Sequence, residues 1–66
     1  MRITGRAVTD SERKMLTKMA EAKGADEVAI GVMDCYDGYN TRWKRVARFI
    51  KNDEIIDWCS FGKEVR

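Results

Sequence analysis

Residues 41–61, TRWKRVARFIKNDEIIDWCSF, can be doubled back on themselves in one register that satisfies three pairs at once. With Asn52-Asp53 as a two-residue turn, Lys51 comes opposite Glu54, Ile50 opposite Ile55, and Arg48 opposite Asp57. Pairs of this kind contribute roughly 0.2–1 kcal/mol each. A slip of one residue loses all of them. Asn-Asp is a plausible hairpin turn, although Gly is the more favoured second residue. An earlier turn signal, Asp37-Gly38, implies a loop of two residues, or of four through Asn40. The stretch 27–61 therefore reads as three antiparallel strands, about 27–36, 41–51 and 54–61. One competing pattern exists. Trp43, Val46, Phe49 and Ile50 also fit helical spacing across 41–51, with Asn40 or Thr41 as a cap. The charge match across the second hairpin favours the strand.

Residues 9–23 read as a helix. Thr9 and Glu12 have the spacing of a capping box. Asp10 and Glu12 suit the positive end of the macrodipole, and Lys23 suits the negative end. Met15, Leu16, Met19 and Ala20 form an apolar stripe, and Gly24 stands where a left-handed cap is wanted. Residues 2–8 suit either a short edge strand, weakened by Gly5, or a frayed arm. The expected fold is α+β: one helix on a three-stranded antiparallel meander, with an N-terminal edge strand as an option, in a single domain spanning 1–66. The tail GKEVR is expected to be loose.

Parity sorts the strand residues. One face collects Val28, Ile30, Val32, Trp43, Ala47, Phe49, Ile56 and Trp58, a core for the helix to cover, with Arg45 reaching to the rim. The other collects Ala29, Met33, Cys35, Lys44, Val46, Arg48, Ile50, Ile55, Asp57, Cys59 and Phe61. That second face is more apolar than a solvated one, which suits a contact with a partner or with a second copy.

With 66 residues, the chain buries only about 60% of its unfolded surface, so its margin of stability is narrow. Thirteen basic against eleven acidic residues leave a net charge of +2, too mild to demand nucleic acid or membrane. Neither a membrane-length apolar run nor a signal-peptide pattern is present, and a cytoplasmic location is the default. The absence of His removes the commonest general base and leaves Cys35 and Cys59 short of a zinc set. On a meander, those two cysteines sit about 9–10 Å apart by strand spacing, too far for a disulfide, and inert thiols are expected. The oxygens of Asp34, Asp37 and Asn40 lack the spacing of a calcium loop. No cofactor or metal is expected, and the scattered carboxylates suggest no enzyme.

Two stretches invite contact. At the hairpin tip, Tyr36 and Tyr39 flank Asp37-Gly38; they either steady the turn as a pair or offer aromatic anchors to a partner. In the strand 41–51, Arg42, Lys44, Arg45, Arg48 and Lys51 surround Trp43, a composition able to bind phosphates and stack a base. Acidic residues on the flanking strands (Glu27, Asp34, Asp37, Asp53, Glu54, Asp57) give the plainer reading, structural charge pairing. The expectation is a non-catalytic protein-interaction module, a small inhibitor or adaptor. Tyr36 and Tyr39 would anchor the partner, and Arg42, Lys44 and Arg48 would fix register. The alternatives are nucleic-acid binding through 41–51 and a homodimer through the outer sheet face.

Overall fold

The computed structural model describes the backbone of residues 1–36, 38–39 and 41–65; the side chains of Cys35, Tyr36, Thr41, Arg42, Lys63, Glu64 and Val65 lie outside the described set. The chain runs β1 (Arg2–Gly5), α1 (Asp10–Lys23), β2 (Glu27–Tyr36), β3 (Thr41–Lys51) and β4 (Glu54–Val65). The strands form one sheet in the order β1-β2-β3-β4. The fold is α+β, one helix on a mixed sheet. Residues 41–51 are strand, so the helical alternative for them is set aside. Residues 2–5 supply the extra edge strand, paired parallel to β2. A parallel pair needs a crossover, and α1 provides it. A Cβ on Gly5 would collide with the Ile30 carbonyl oxygen. Glycine there lets the Arg6 N–H reach that same oxygen at 3.1 Å.

The helix forms where its signals place it. Thr9 accepts from the Glu12 N–H, and the Glu12 carboxylate accepts from the Thr9 N–H at 2.9 Å, completing the capping box. At the other end Gly24 is left-handed at φ 76°. The Gly24 N–H donates to Glu21 and the Ala25 N–H to Ala20, the paired bonds that close a helix C-terminus. Leu16 and Ala20 are buried, and Met19 packs at the margin of the core. Met15, expected in the stripe, is instead exposed; it lies about a quarter turn from the centre of the row Glu12, Leu16, Met19, Lys23.

That row begins and ends in a charge, and each charge meets the sheet. The Arg45 guanidinium donates to both Glu12 oxygens, at 2.9 and 2.6 Å. Lys23 Nζ lies 2.6 Å from Asp57 Oδ2. Each cation also rides over a core ring: Arg45 is 5.0 Å from the centroid of Phe61, and Lys23 is 5.5 Å from that of Phe49. Arg45 therefore does not simply reach to the rim. One guanidinium fork on a carboxylate and one ammonium–carboxylate pair, at the two ends of the row, fix the helix's position along the sheet as well as its distance from it.

The second hairpin turns at Asn52 and Asp53, both with positive φ, as a tight turn of this twist requires. Lys51 pairs with Glu54 and Ile50 with Ile55, as expected. The third expected pair is not formed. Phe49 pairs with Asp57 and Arg48 with Trp58, so Ile56 is an extra residue in β4. A one-residue bulge inverts the parity of everything beyond it. Phe61 and Cys59 therefore turn toward the helix, and Trp58 and Ile56 leave the expected core. Trp43 also leaves it, half exposed, because it lies two residues beyond Arg45 along β3, and Arg45 is already level with Glu12 in the helix's first turn.

The core is Leu16 and Ala20 of α1, Val28 and Ile30 of β2, Ala47 and Phe49 of β3, and Phe61 of β4. The tail, expected to be loose, is strand over residues 62–65. β4 continues to Val65, which pairs with Trp43 after a second irregularity opposite Trp43 and Arg45. Gly62 sits in it at φ 73°, and a Cβ there would strike the Arg45 guanidinium. The glycine thus leaves room for the clamp.

Both clamp carboxyls are held below their ordinary range. For Glu12 the chief cause is the Thr9 N–H, followed by Arg45 among the groups that lower it; for Asp57 it is the bond from Lys23, then the Trp58 N–H. A carboxyl depressed in the fold contributes stability that is full above its unfolded value and is lost as pH falls through its folded value. The unfolding midpoint in urea should therefore fall as pH drops from the mid-4s downward. In Glu12→Gln plus Asp57→Asn the fall should be shallower; an equal slope in the two proteins would contradict the clamps.

Candidate interaction surface

The helix covers one face of the sheet and leaves the other open. Strand alternation places Ala29, Gly31 and Met33 of β2, Lys44, Val46, Arg48 and Ile50 of β3, and Ile55 and Trp58 of β4 on that outer face. A shallow groove of about 240 Å³ runs across it, lined by Met33, Val46, Arg48, Ile55 and Trp58. Its floor is Val46, only 1% exposed although no second layer among the described residues packs on this side. The residues opposite Val46, Gly31 and Ser60, are small, so the floor must be covered from the larger side chains around it. The walls remain open: Trp58 is 56% exposed and Ile55 58%.

Gly31 also sets the position of Arg48. A Cβ at Gly31 would lie 2.9 Å from Arg48 Nη1, so the guanidinium crosses the strand over the missing side chain. Among the described residues neither Arg48 nor Lys44 has an ion-pair partner. This corrects the cross-strand charge pairing expected for the basic strand at Lys44 and Arg48, while Lys51 does come opposite Glu54. The register explains it: Lys44 faces Met33, while Arg48 faces Ala29 and Trp58. The carboxylates Glu12 and Asp57 are both engaged with the helix clamps.

The expected contact residues divide. Lys44 and Arg48 flank Val46 on the outer face. Tyr39 is 90% exposed at the hairpin tip beside Gly38. Tyr36 and Arg42 lie in β2 and β3, but their side chains fall outside the described residues, as do Asp37 and Asn40. Tyr36 pairs with Thr41, which fixes the tip as the four-residue option. The sequence reading missed Trp58, which it placed under the helix. One signal was available: unbroken alternation in β4 puts Ser60 inside and Phe61 outside, the reverse of what a core wants.

Cys59 lies against the core rather than on the outer face. Burial, and then the charge of Asp57, raise its thiol above the ordinary range, which suppresses the thiolate that reactivity needs. Among the described residues no group of three or more Cys, Asp or Glu is arranged to hold a metal ion. Nor is any helix among them long and apolar enough to cross a membrane. Comparison with protein-family models, with curated proteins and with solved structures found no match.

Val46 and Arg48 should separate structure from function. Val46→Ala removes buried apolar volume and should cost about 2 kcal/mol in a urea titration. Arg48→Ala should change stability by less than about 0.5 kcal/mol, as surface substitutions away from special features do. A large loss on Arg48→Ala would mean that its charge is paired within the fold.

Proposed function

We propose that this chain is a non-catalytic protein-interaction module, an inhibitor or adaptor that acts by covering a surface of another protein. The observation that supports it is the outer sheet face. A tryptophan and an isoleucine, both more than half exposed, wall a groove whose floor is already dry. Exposed aromatic and aliphatic walls around a preformed apolar floor resemble the centre of a protein interface more than a solvated face. Ile55, Ile56 and Trp58 also stand on β4, the edge strand, so a partner approaching from that side meets apolar surface on both the face and the edge.

In this reading the contact is centred on Trp58 and Ile55, with Lys44 and Arg48 fixing register. The hairpin tip, with Tyr36, Tyr39 and Arg42, is a flanking contact. The mechanism is steric occlusion, with no chemical step, in a cytoplasmic setting. Self-association through the same face is disfavoured by charge. Its described cations, Arg2, Lys44 and Arg48, face one carboxylate, Glu27, so a second copy brings few acids to match them. Nucleic acid is the second reading. Against it, Trp43 and Trp58 have opposite parity on the sheet, and a single-strand track wants successive aromatics on one side.

Purified chain should scatter light as a monomer. Tethered chain should retain a protein from an extract of its source cells. A double variant, Ile55→Lys plus Trp58→Ala, should release that protein while keeping its own circular dichroism. The purified pair should then reconstitute as a complex of defined mass. Identical retention by the two chains, or retained material that nuclease removes, would defeat the proposal.

A further inference from the structure

We infer that the outer groove takes a peptide segment in which a carboxylate stands beside an apolar side chain. This rests on the protein-interaction reading above and adds the chemistry of the partner. The groove offers two things side by side. One is an apolar seat formed by Met33, Val46, Ile55 and Trp58, with room for about one large side chain. The other is Arg48, which lines the same groove and pairs with Trp58 in the sheet, its guanidinium lying over Gly31 on the β2 side.

The position of Arg48 on this face follows from its neighbour. Gly31 gives it a bed: with any side chain at position 31 the guanidinium would have to move. No carboxylate among the described residues meets it. A guanidinium held against a surface has less freedom to lose on binding, and its planar fork matches a carboxylate through two parallel hydrogen bonds. Lys44 adds a second cation on the far side of Val46, a point charge without directional preference. The charge of the face thus selects an acidic segment, and the exposed apolar walls, Ile55 and Trp58, select an apolar residue next to the acid. A single-stranded nucleic acid would satisfy the two cations but leave the aliphatic floor without a match.

The test is a selection on the full chain with a display library of random linear peptides, counter-selected on Trp58→Ala. Enriched peptides should carry Asp or Glu within two positions of Leu, Ile, Phe or Trp. A synthetic peptide from the enriched set should bind about tenfold more weakly to Arg48→Ala. Gly31→Ala, which displaces the guanidinium but keeps its charge, should weaken it in the same direction. Circular dichroism of each variant shows that the fold is retained. Enrichment of neutral or basic peptides, or an affinity indifferent to Arg48→Ala, would overturn the inference and leave the protein-interaction reading standing. Absence of any enriched peptide would overturn the inference as well. If a thymidine homopolymer then bound with a steep dependence on salt, the wider reading would fall with it.

Discussion

One inserted residue in an edge strand decides which side chains this domain keeps and which it shows. Without Ile56 as a bulge, the alternation of β4 would carry Trp58 and Ser60 under the helix and leave Cys59 and Phe61 outside. With it, Phe61 joins Leu16, Ala20, Val28 and Phe49 in the core, and Trp58 moves to the open face. A small domain has little core to spare, so the assignment of one aromatic matters. Burying a Phe side chain contributes about 1.5–3 kcal/mol, a large part of the narrow margin available at this size.

The helix depends on that exchange. Arg45 can hold Glu12 because Phe61 gives its guanidinium a ring to rest on, and because Gly62, next in the chain, leaves the space. Lys23 meets Asp57 because the bulge moves Asp57 opposite Phe49, on the helix side of the sheet. In the unbulged register Asp57 faces Arg48 and points the other way. The acid that might have neutralised the outer face is thereby spent on the inner one. Arg48 is left without an ion-pair partner among the described residues for the same reason that the helix is fixed at both ends.

Much of this architecture was legible in the sequence. The capping box, the Gly24 stop, the Asn52-Asp53 turn and the three main strands follow from local chemistry, and each is where its residues place it. The N-terminal strand was one of two options, decided by a long-range contact, the approach of Gly5 to Ile30, that no local pattern records. The bulge was not legible. Ile56 carries no glycine and no turn residue, and the charge match of Arg48 with Asp57 argued for a continuous ladder. The missing information was tertiary: Asp57 had a better partner on the helix. The same error hid Trp58 as a contact residue, whereas the face of Lys44 and Arg48 was legible because β3 pairs with β2 without a break from Ile50 to Thr41.

The open face is thus a by-product of how the core was completed, and its chemistry is consistent: a dry aliphatic floor, an exposed tryptophan and two cations without ion-pair partners among the described residues. All of it rests on the parity of β4 beyond Ile56. Nuclear Overhauser contacts test that parity directly. The ring protons of Phe61 should show contacts to the Leu16 or Ala20 methyls, and the Trp58 indole should show them to Val46 or Met33. Contacts from the Trp58 indole to Leu16, with Phe61 silent toward the helix, would contradict the bulge and the surface together.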